Sequence, residues 1–308
     1  MTAKSTLNAL LRWAMPMKSN RRLVGRTIKQ VIQSPTTIPK RVNSTNLGNF
    51  LRYRRRHFDC PVCGAKTTPL YDFPDLALRR EHKIGEMRET LQCRECFASM
   101  RERTLALALL DDWHRRTSIR HDSVAALAAD GLGDVRVLDS DNFSAISRML
   151  RGDRSYVRCS YLPDRPWGAV IEPNYHNINL ERIDFEDSSF DIVLTSDVME
   201  HVRDSDAAHA EIHRVLRTGG AYIFTVPYDE NRAEDLQLVD TTTADDVFLC
   251  EPHYHGDPLT RGILAYRVFG RSLFGKLEAL GFKVDFRRLE TPGNLVMDGD
   301  VFVAVRQD

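Results

Sequence analysis

The chain has 308 residues, 43 basic and 43 acidic side chains, a formal charge of zero and 42% hydrophobic residues. That length holds one large α/β domain plus a small module, with enough apolar material for a full core. No apolar run reaches the roughly 18 residues that a membrane-spanning helix needs, so a bilayer-spanning class is excluded and a soluble, cytoplasmic protein is expected.

The neutral total hides an asymmetry. Residues 1–59 hold thirteen Lys or Arg and the single acid Asp59, and the remainder carries 30 basic and 42 acidic side chains. Residues 1–57 read as a basic, flexible arm with two weak amphipathic stretches, Leu7–Ala14 and Leu23–Ile32, closed by Pro35 and Pro39. Such a cationic arm suits an anionic membrane surface, nucleic acid, its own acidic body or a transit peptide, as well as a plain solvated tail.

Residues 58–100 are loop-like and framed by Cys60-Pro-Val-Cys63 and Cys93-Arg-Glu-Cys96. Each CxxC turn presents two thiolates on one side of a knuckle, and two knuckles complete a closed tetrahedral site, so a structural Zn²⁺ is expected in a zinc-ribbon-like module. The 29 residues between the pairs exceed the usual spacing of about 15 to 20, which an intervening loop absorbs. Cys159 and Cys250 stand alone. A six-cysteine chain with this pairing suits a reducing compartment.

Residues 101–130 form a connecting segment, with apolar residues at helical spacing from Arg101 to Arg116. From residue 131 onward, short apolar strands alternate with helices, the mark of a parallel sheet covered on both faces. Strands are expected at Val135–Asp139, Tyr156–Ser160, His176–Asn179, Phe190–Ser196, Ala221–Val226, Phe282–Arg288 and Asp300–Val305, and helices at Ser144–Leu150, Ala207–Arg217 and Ser272–Leu280. These elements make a Rossmann-like, seven-stranded, doubly wound sheet, whose ligand lies at the carboxyl ends of the strands. Gly219-Gly220 is expected to close a helix and turn into the next strand.

Asn179 to Val202, NLERIDFEDSSFDIVLTSDVMEHV, followed by Glu211 to Gly220, EIHRVLRTGG, resembles the signature of class I, type 11 S-adenosylmethionine-dependent methyltransferases. The resemblance spans roughly Val135 to Asp308. After Phe58 the chain is also similar to a bacterial subgroup in which a CPxCG module precedes such a domain, with Glu251–Pro258 (EPHYHGDP), Phe269-Gly270 and the Leu277–Phe282 segment (LEALGF) in the matching places. The likeness implies S-adenosyl-L-methionine as cofactor, held by Asp139, Ser140, Asp141, Ser160, Asn179, Leu180, Thr195, Ser196 and Asp197. Where the family alternates glycines after its first-strand acid, this chain has Ser140 to Ala145 without one; where the family ends its second strand on an acid, Cys159-Ser160-Tyr161 stands.

Methyl transfer to a hydroxyl or amine needs a positioned acceptor and a group to take its proton. His201, just past the central strand, and His255 and Asp257, in the insertion 227–268, are the candidates. Asp197, Glu200 and His201 also resemble the divalent-ion site of ubiquinone-pathway O-methyltransferases, which would hold Mg²⁺. The insertion mixes His, Tyr, Asp and Arg, which suits a small polar or glycan-type acceptor. Two alternatives stand beside that reading: a catalytically silent binding protein on this fold, and an RNA or protein methyltransferase that grips its substrate with module and arm.

Overall fold

In the computed structural model, which describes residues 52–71, 87–255 and 262–308, the two CxxC segments fold alike. Strand β1 (Phe58–Asp59) pairs with β2 (Lys66–Thr67), and β3 (Pro69–Tyr71) pairs with β4 (Leu91–Cys93), which follows the short helix α1 (Met87–Thr90). In the first knuckle Gly64 N–H donates to Cys60 O at 2.8 Å and Cys60 N–H to Ala65 O at 3.0 Å. The second repeats the pattern, with Phe97 N–H to Cys93 O at 2.9 Å and Cys93 N–H to Ala98 O at 2.8 Å. Both knuckles turn through a left-handed residue, Gly64 in one and, against the steric preference, the exposed Phe97 in the other. Residues 1–51 of the basic arm, and Asp257, lie outside the described residues.

Helix α2 (Met100–Thr117) starts on a capping box, in which Ser99 and Glu102 each bond the other's backbone N–H. Helix α3 (Val124–Asp130) aims its first N–H groups at the first knuckle, Val124 to Pro61 O at 2.8 Å and Ala125 to Val62 O at 2.9 Å. These contacts belong to one compact unit made of residues 54–71 and 87–308.

The sheet follows as β5 (Val137–Asp139), α4 (Ala145–Leu150), β6 (Tyr156–Ser160), β7 (Val170–Glu172), β8 (Tyr175–Asn177), β9 (Phe190–Ser196), α5 (Ser205–Val215) and β10 (Leu216–Thr225). Six two-residue strands come next: β11 (Leu236–Gln237), β12 (Val239–Asp240), β13 (Val247–Phe248), β14 (Tyr254–His255), β15 (Ile263–Leu264) and β16 (Arg267–Val268). Helix α6 (Ser272–Ala279) and the long hairpin β17 (Phe282–Thr291) and β18 (Val296–Arg306) end the chain.

The strand order is β17-β18-β10-β9-β5-β6-β8-β7. Strands β8, β6, β5, β9 and β10 run parallel, while β18 is antiparallel to β10. The seven expected strands form a Rossmann-like doubly wound sheet, joined by an eighth, β7, at the edge. Its residues Val170 and Glu172 are exposed, so it shows no inward-facing pattern in the sequence. Chain direction across the sheet reverses between β5 and β9, which opens a crevice at their carboxyl ends.

Alternate residues of the central strands serve two faces. Tyr222, Phe224, Phe302 and Ala304 share a core cluster with Ile212 and Val215 of α5 and Leu273 and Leu277 of α6. Helix α2 packs on β18 and β10. Gly219 and Gly220 do not close a helix: α5 already ends at Val215, Leu216 pairs with Phe190, and the glycines sit in a register shift before Ala221. A Cβ on Gly220 would lie 2.6 Å from Arg217 O.

A buried side chain ties the cysteine segment to the turn between β17 and β18. Arg103 of α2 is fully buried and donates to Leu91 O (2.9 Å), Ala98 O (2.8 Å), Leu295 O (2.9 Å) and Asn294 O (3.2 Å). Its guanidinium also lies over the Phe58 ring, 4.9 Å from the centroid. Arg103→Met keeps the apolar stem and strips the donors from four carbonyls. It should lower the unfolding free energy by about 3 kcal/mol or more, read as a drop in urea midpoint at unchanged slope.

Candidate functional site

Asp139 ends β5 at the crevice and is buried. One carboxyl oxygen accepts from the Tyr156 hydroxyl and the other from Asp141 N–H at 2.8 Å. Burial, reinforced by the charge of Asp141, pushes its pKa up to about 8. Ser140 N–H donates to Leu194 O of β9 at 3.1 Å, and Asp141 accepts from Phe143 N–H at 3.2 Å. Ser144 then caps α4 through Ser147 N–H. No residue from Asp139 to Ala145 has a positive φ. The turn is made by side-chain-to-backbone bonds of Asp and Ser, which is why it folds without the family's glycines.

Across the crevice, β9 ends in Ser196, and Asp197 follows it. Arg88 of α1 grips Asp197 with two bonds, one at 2.8 Å to Oδ1, and Thr225 Oγ1 donates to Asp197 at 2.8 Å. Burial alone would raise the Asp197 pKa, but Arg88 and then Arg101 outweigh it and hold the carboxylate well below its usual range. Arg101 pairs with Glu89 at 2.7 and 3.1 Å and donates to the Ser196 hydroxyl and to Ser196 O at 3.2 Å. Glu102 accepts from Ser99 N–H at 2.7 Å and, with its other oxygen, from Ala145 N–H at 2.6 Å. Four charged residues of the α1–α2 segment therefore line the tips of β5 and β9.

Beyond β6 and β8 a cavity of about 330 Å³ is walled by Tyr161, Arg165, Trp167, Asn177, Asn179 and Arg182. Ser160 is buried at the tip of β6. Asn179 already spends its amide oxygen on Glu181 N–H at 3.0 Å. Asn177, which the sequence does not single out, organises the wall by bonding Leu162 N and O and the carbonyls of Arg165 and Pro166. Two expected cofactor contacts are spent inside the fold. The Thr195 hydroxyl pairs with Tyr222 Oη at 2.9 Å in the interior, and Leu180 packs in the core cluster.

His201 and His255 come together. His201 Nδ1 donates to Leu264 O at 2.8 Å, and its Nε2 lies 3.2 Å from His255 Nδ1, with the rings edge to face. Glu200, fully buried beside them, has its carboxyl pKa raised well above the usual value by burial. The insertion is latched to this segment by Tyr266 N–H to Glu200 O (2.8 Å) and by Arg267 to Val202 O (2.8 Å) and Arg203 O (2.6 Å). The expected Mg²⁺ grouping of Asp197 with Glu200 and His201 is not formed, because Arg88 and Arg101 claim the Asp197 carboxylate.

The four cysteine sulfurs converge, Cys60 to Cys96 at 3.7 Å and Cys63 to Cys93 at 3.8 Å, all within 4.8 Å of one another. A tetrahedron with bonds of about 2.3 Å has edges of about 3.8 Å, so the sulfurs fit a zinc ion.

Residues 139–224 match the family model of a methyltransferase domain. Relatives include the ubiquinone/menaquinone biosynthesis C-methyltransferase UbiE of Xylella fastidiosa strain M23, 35% identical over 94 residues, and that of Stenotrophomonas maltophilia strain K279a, 34% identical. Each alignment covers 30% of this chain and 37% of the relative, so the chain spans little more than a third of the relatives it matches. A solved S-adenosylmethionine-dependent methyltransferase of Mesorhizobium loti is 15% identical, with a TM-score of 0.39, over 57% of this chain and 92% of that one. One of Methanosarcina mazei is 16% identical, with a TM-score of 0.34, over 58% and 96%. The matched segment runs from β5 through most of β10; Arg88, Arg101 and His255 all lie outside it.

A carboxyl whose pKa is higher folded than unfolded binds its proton more tightly in the native state, so stability falls as pH rises between the two values. For Asp139 that window runs from its ordinary 3.8 to about 8. Asp139→Asn removes the ionisation and keeps the bond from Asp141 N–H, while its amide N–H donates to the Tyr156 oxygen in place of the bond that the carboxyl accepted. The variant should lose less stability than the parent between pH 5 and pH 8 in urea titrations; equal slopes would contradict the buried neutral carboxyl.

Proposed function

We propose that the chain is an S-adenosylmethionine-dependent methyltransferase acting on a small polar or glycan-type acceptor. The methyltransferase-domain match over residues 139–224 carries the reading, since it brackets the strand tips at which the sheet reverses direction. The cofactor supplies an electrophilic sulfonium methyl. The residues present fit its two ends: the cavity of Tyr161, Trp167 and Asn179 suits an adenosine, and Arg101, paired with Glu89 and bonded to Ser196 O, shapes the tip of β9 where an amino-acid end would lie. His201 and His255 stand ready to take an acceptor proton beneath the polar insertion.

A second reading, a catalytically silent protein on this fold, is favoured by one observation. Glu102 and Arg88 already occupy Ala145 N–H and Asp197, groups at the crevice tips. Titration calorimetry separates the two. The enzyme reading expects micromolar affinity for S-adenosylmethionine, weakened at least about tenfold, or by about 1.4 kcal/mol, in Arg101→Ala. No heat at millimolar cofactor would overturn it.

We assign the four cysteines one structural zinc ion, on the fit of their sulfurs to a tetrahedron. Elemental analysis should find zinc at one equivalent in that site, lost in Cys93→Ser together with part of the helical circular dichroism.

A further inference from the structure

We infer that Glu200, His201 and His255 form a second metal site, built for a divalent first-row transition ion. It is separate from the cysteine cluster and does not rest on the cofactor reading; with the ion in place the two rings are its ligands and do not take an acceptor proton.

The geometry is that of three donors around a point. His201 Nε2 lies 3.2 Å from His255 Nδ1 and 3.7 Å from Glu200 Oε1, and His255 Nδ1 lies 3.8 Å from the same oxygen. A triangle with these sides has a circumradius of about 2.1 Å, which is the length of zinc–nitrogen and zinc–oxygen bonds. An ion near the centre reaches all three atoms without rearranging the backbone.

Glu200 makes the independent case. Its side chain is fully buried, and neither carboxyl oxygen has a hydrogen-bond partner among the described residues. A buried carboxyl without a partner costs several kcal/mol unless a charge or a proton answers it. Arg88 and Arg101 are spent on Asp197 and Glu89, so a cation between Glu200 and the two rings answers it directly.

The rings are set for that cation. The carbonyl of Leu264 only accepts, so His201 Nδ1 carries the proton and Nε2 presents a lone pair to the site, the arrangement by which a backbone carbonyl orients a metal-bound imidazole. His255 Nδ1 faces the same lone pair and becomes a ligand by moving its proton to Nε2. Two imidazoles and one carboxylate favour zinc, cobalt, nickel, iron or manganese over Mg²⁺, which prefers oxygen donors. His255 is partly exposed, at 41% of its side chain, so among the described residues the ion is reachable from that side. The donors come from both the tip of the central strand and the insertion, so the ion also ties the two together.

The test uses the full chain with its cysteine site zinc-loaded, titrated with Co²⁺. Expected are visible d–d bands without thiolate-to-cobalt charge transfer, saturating at one cobalt per chain, with the zinc content unchanged. Glu200→Gln, which keeps the shape, and His255→Asn, at the partly exposed edge, should each weaken cobalt binding at least about tenfold, with circular dichroism and zinc retained. Should Glu200→Gln fail to fold, His255→Asn decides alone. No second metal at millimolar Co²⁺, thiolate charge-transfer bands only, or parental affinity in the folded variants would each overturn the assignment. Because the readout is metal content and spectrum, a failure here is distinguishable from a failure of cofactor binding, which calorimetry reads independently.

Discussion

A guanidinium with no water around it must find acceptors, and Arg103 finds four backbone carbonyls drawn from two stretches of chain. Leu91 and Ala98 belong to the second knuckle, and Asn294 and Leu295 to the turn between the last two strands. Desolvation lowers its pKa to about 10, still far enough above neutral to keep the charge. Those bonds fix the start of α2, and with it the positions of Arg101 and Glu102, the two residues that precede Arg103 in the first turn. The cysteine segment thereby becomes one wall of the crevice.

That wall explains a contrast in the way the chain handles its buried carboxyl groups. Asp139, Asp197 and Glu200 lie in one neighbourhood, and three different environments act on them. Asp139 shares a hydroxyl and an amide and is pushed toward neutrality, Asp197 is ionised by two arginines, and Glu200 is governed by burial, with no guanidinium bonded to its carboxyl. The difference arises from the module, since Arg88 and Arg101 bond to one side of the crevice and stop there.

The sheet was legible because its strands are short apolar runs at regular intervals. Tyr156–Ser160 and Phe190–Ser196 have the bounds that the pattern implies, and helices α2, α5 and α6 lie within two residues of theirs. Strand β7 was not legible, because it pairs at an edge and buries nothing. The pairing of the cysteines followed from spacing, whereas His201 and His255 were legible only as separate candidates, one after the central strand and one in the insertion, because 54 residues separate them and nothing local marks their meeting. The arginines were hidden for a physical reason. Arg88 and Arg101 meet Asp197 and Ser196 across 109 and 95 residues, and a charged residue in an exposed-looking segment carries no local sign of a distant partner. Only the capping box of Ser99 and Glu102 marks the segment as ordered, and it says nothing of Ala145.

Glu102 bridges the starts of two helices. One oxygen closes the first turn of the helix that leaves the second cysteine knuckle, and the other holds the first N–H of the helix that leaves β5. The knuckle and the strand tip are therefore held apart by the span of a single carboxylate. Through that carboxylate the start of the helix after the second knuckle and the start of the helix after β5 share one anchor, so the cysteine segment and the crevice tip have a common fixed point.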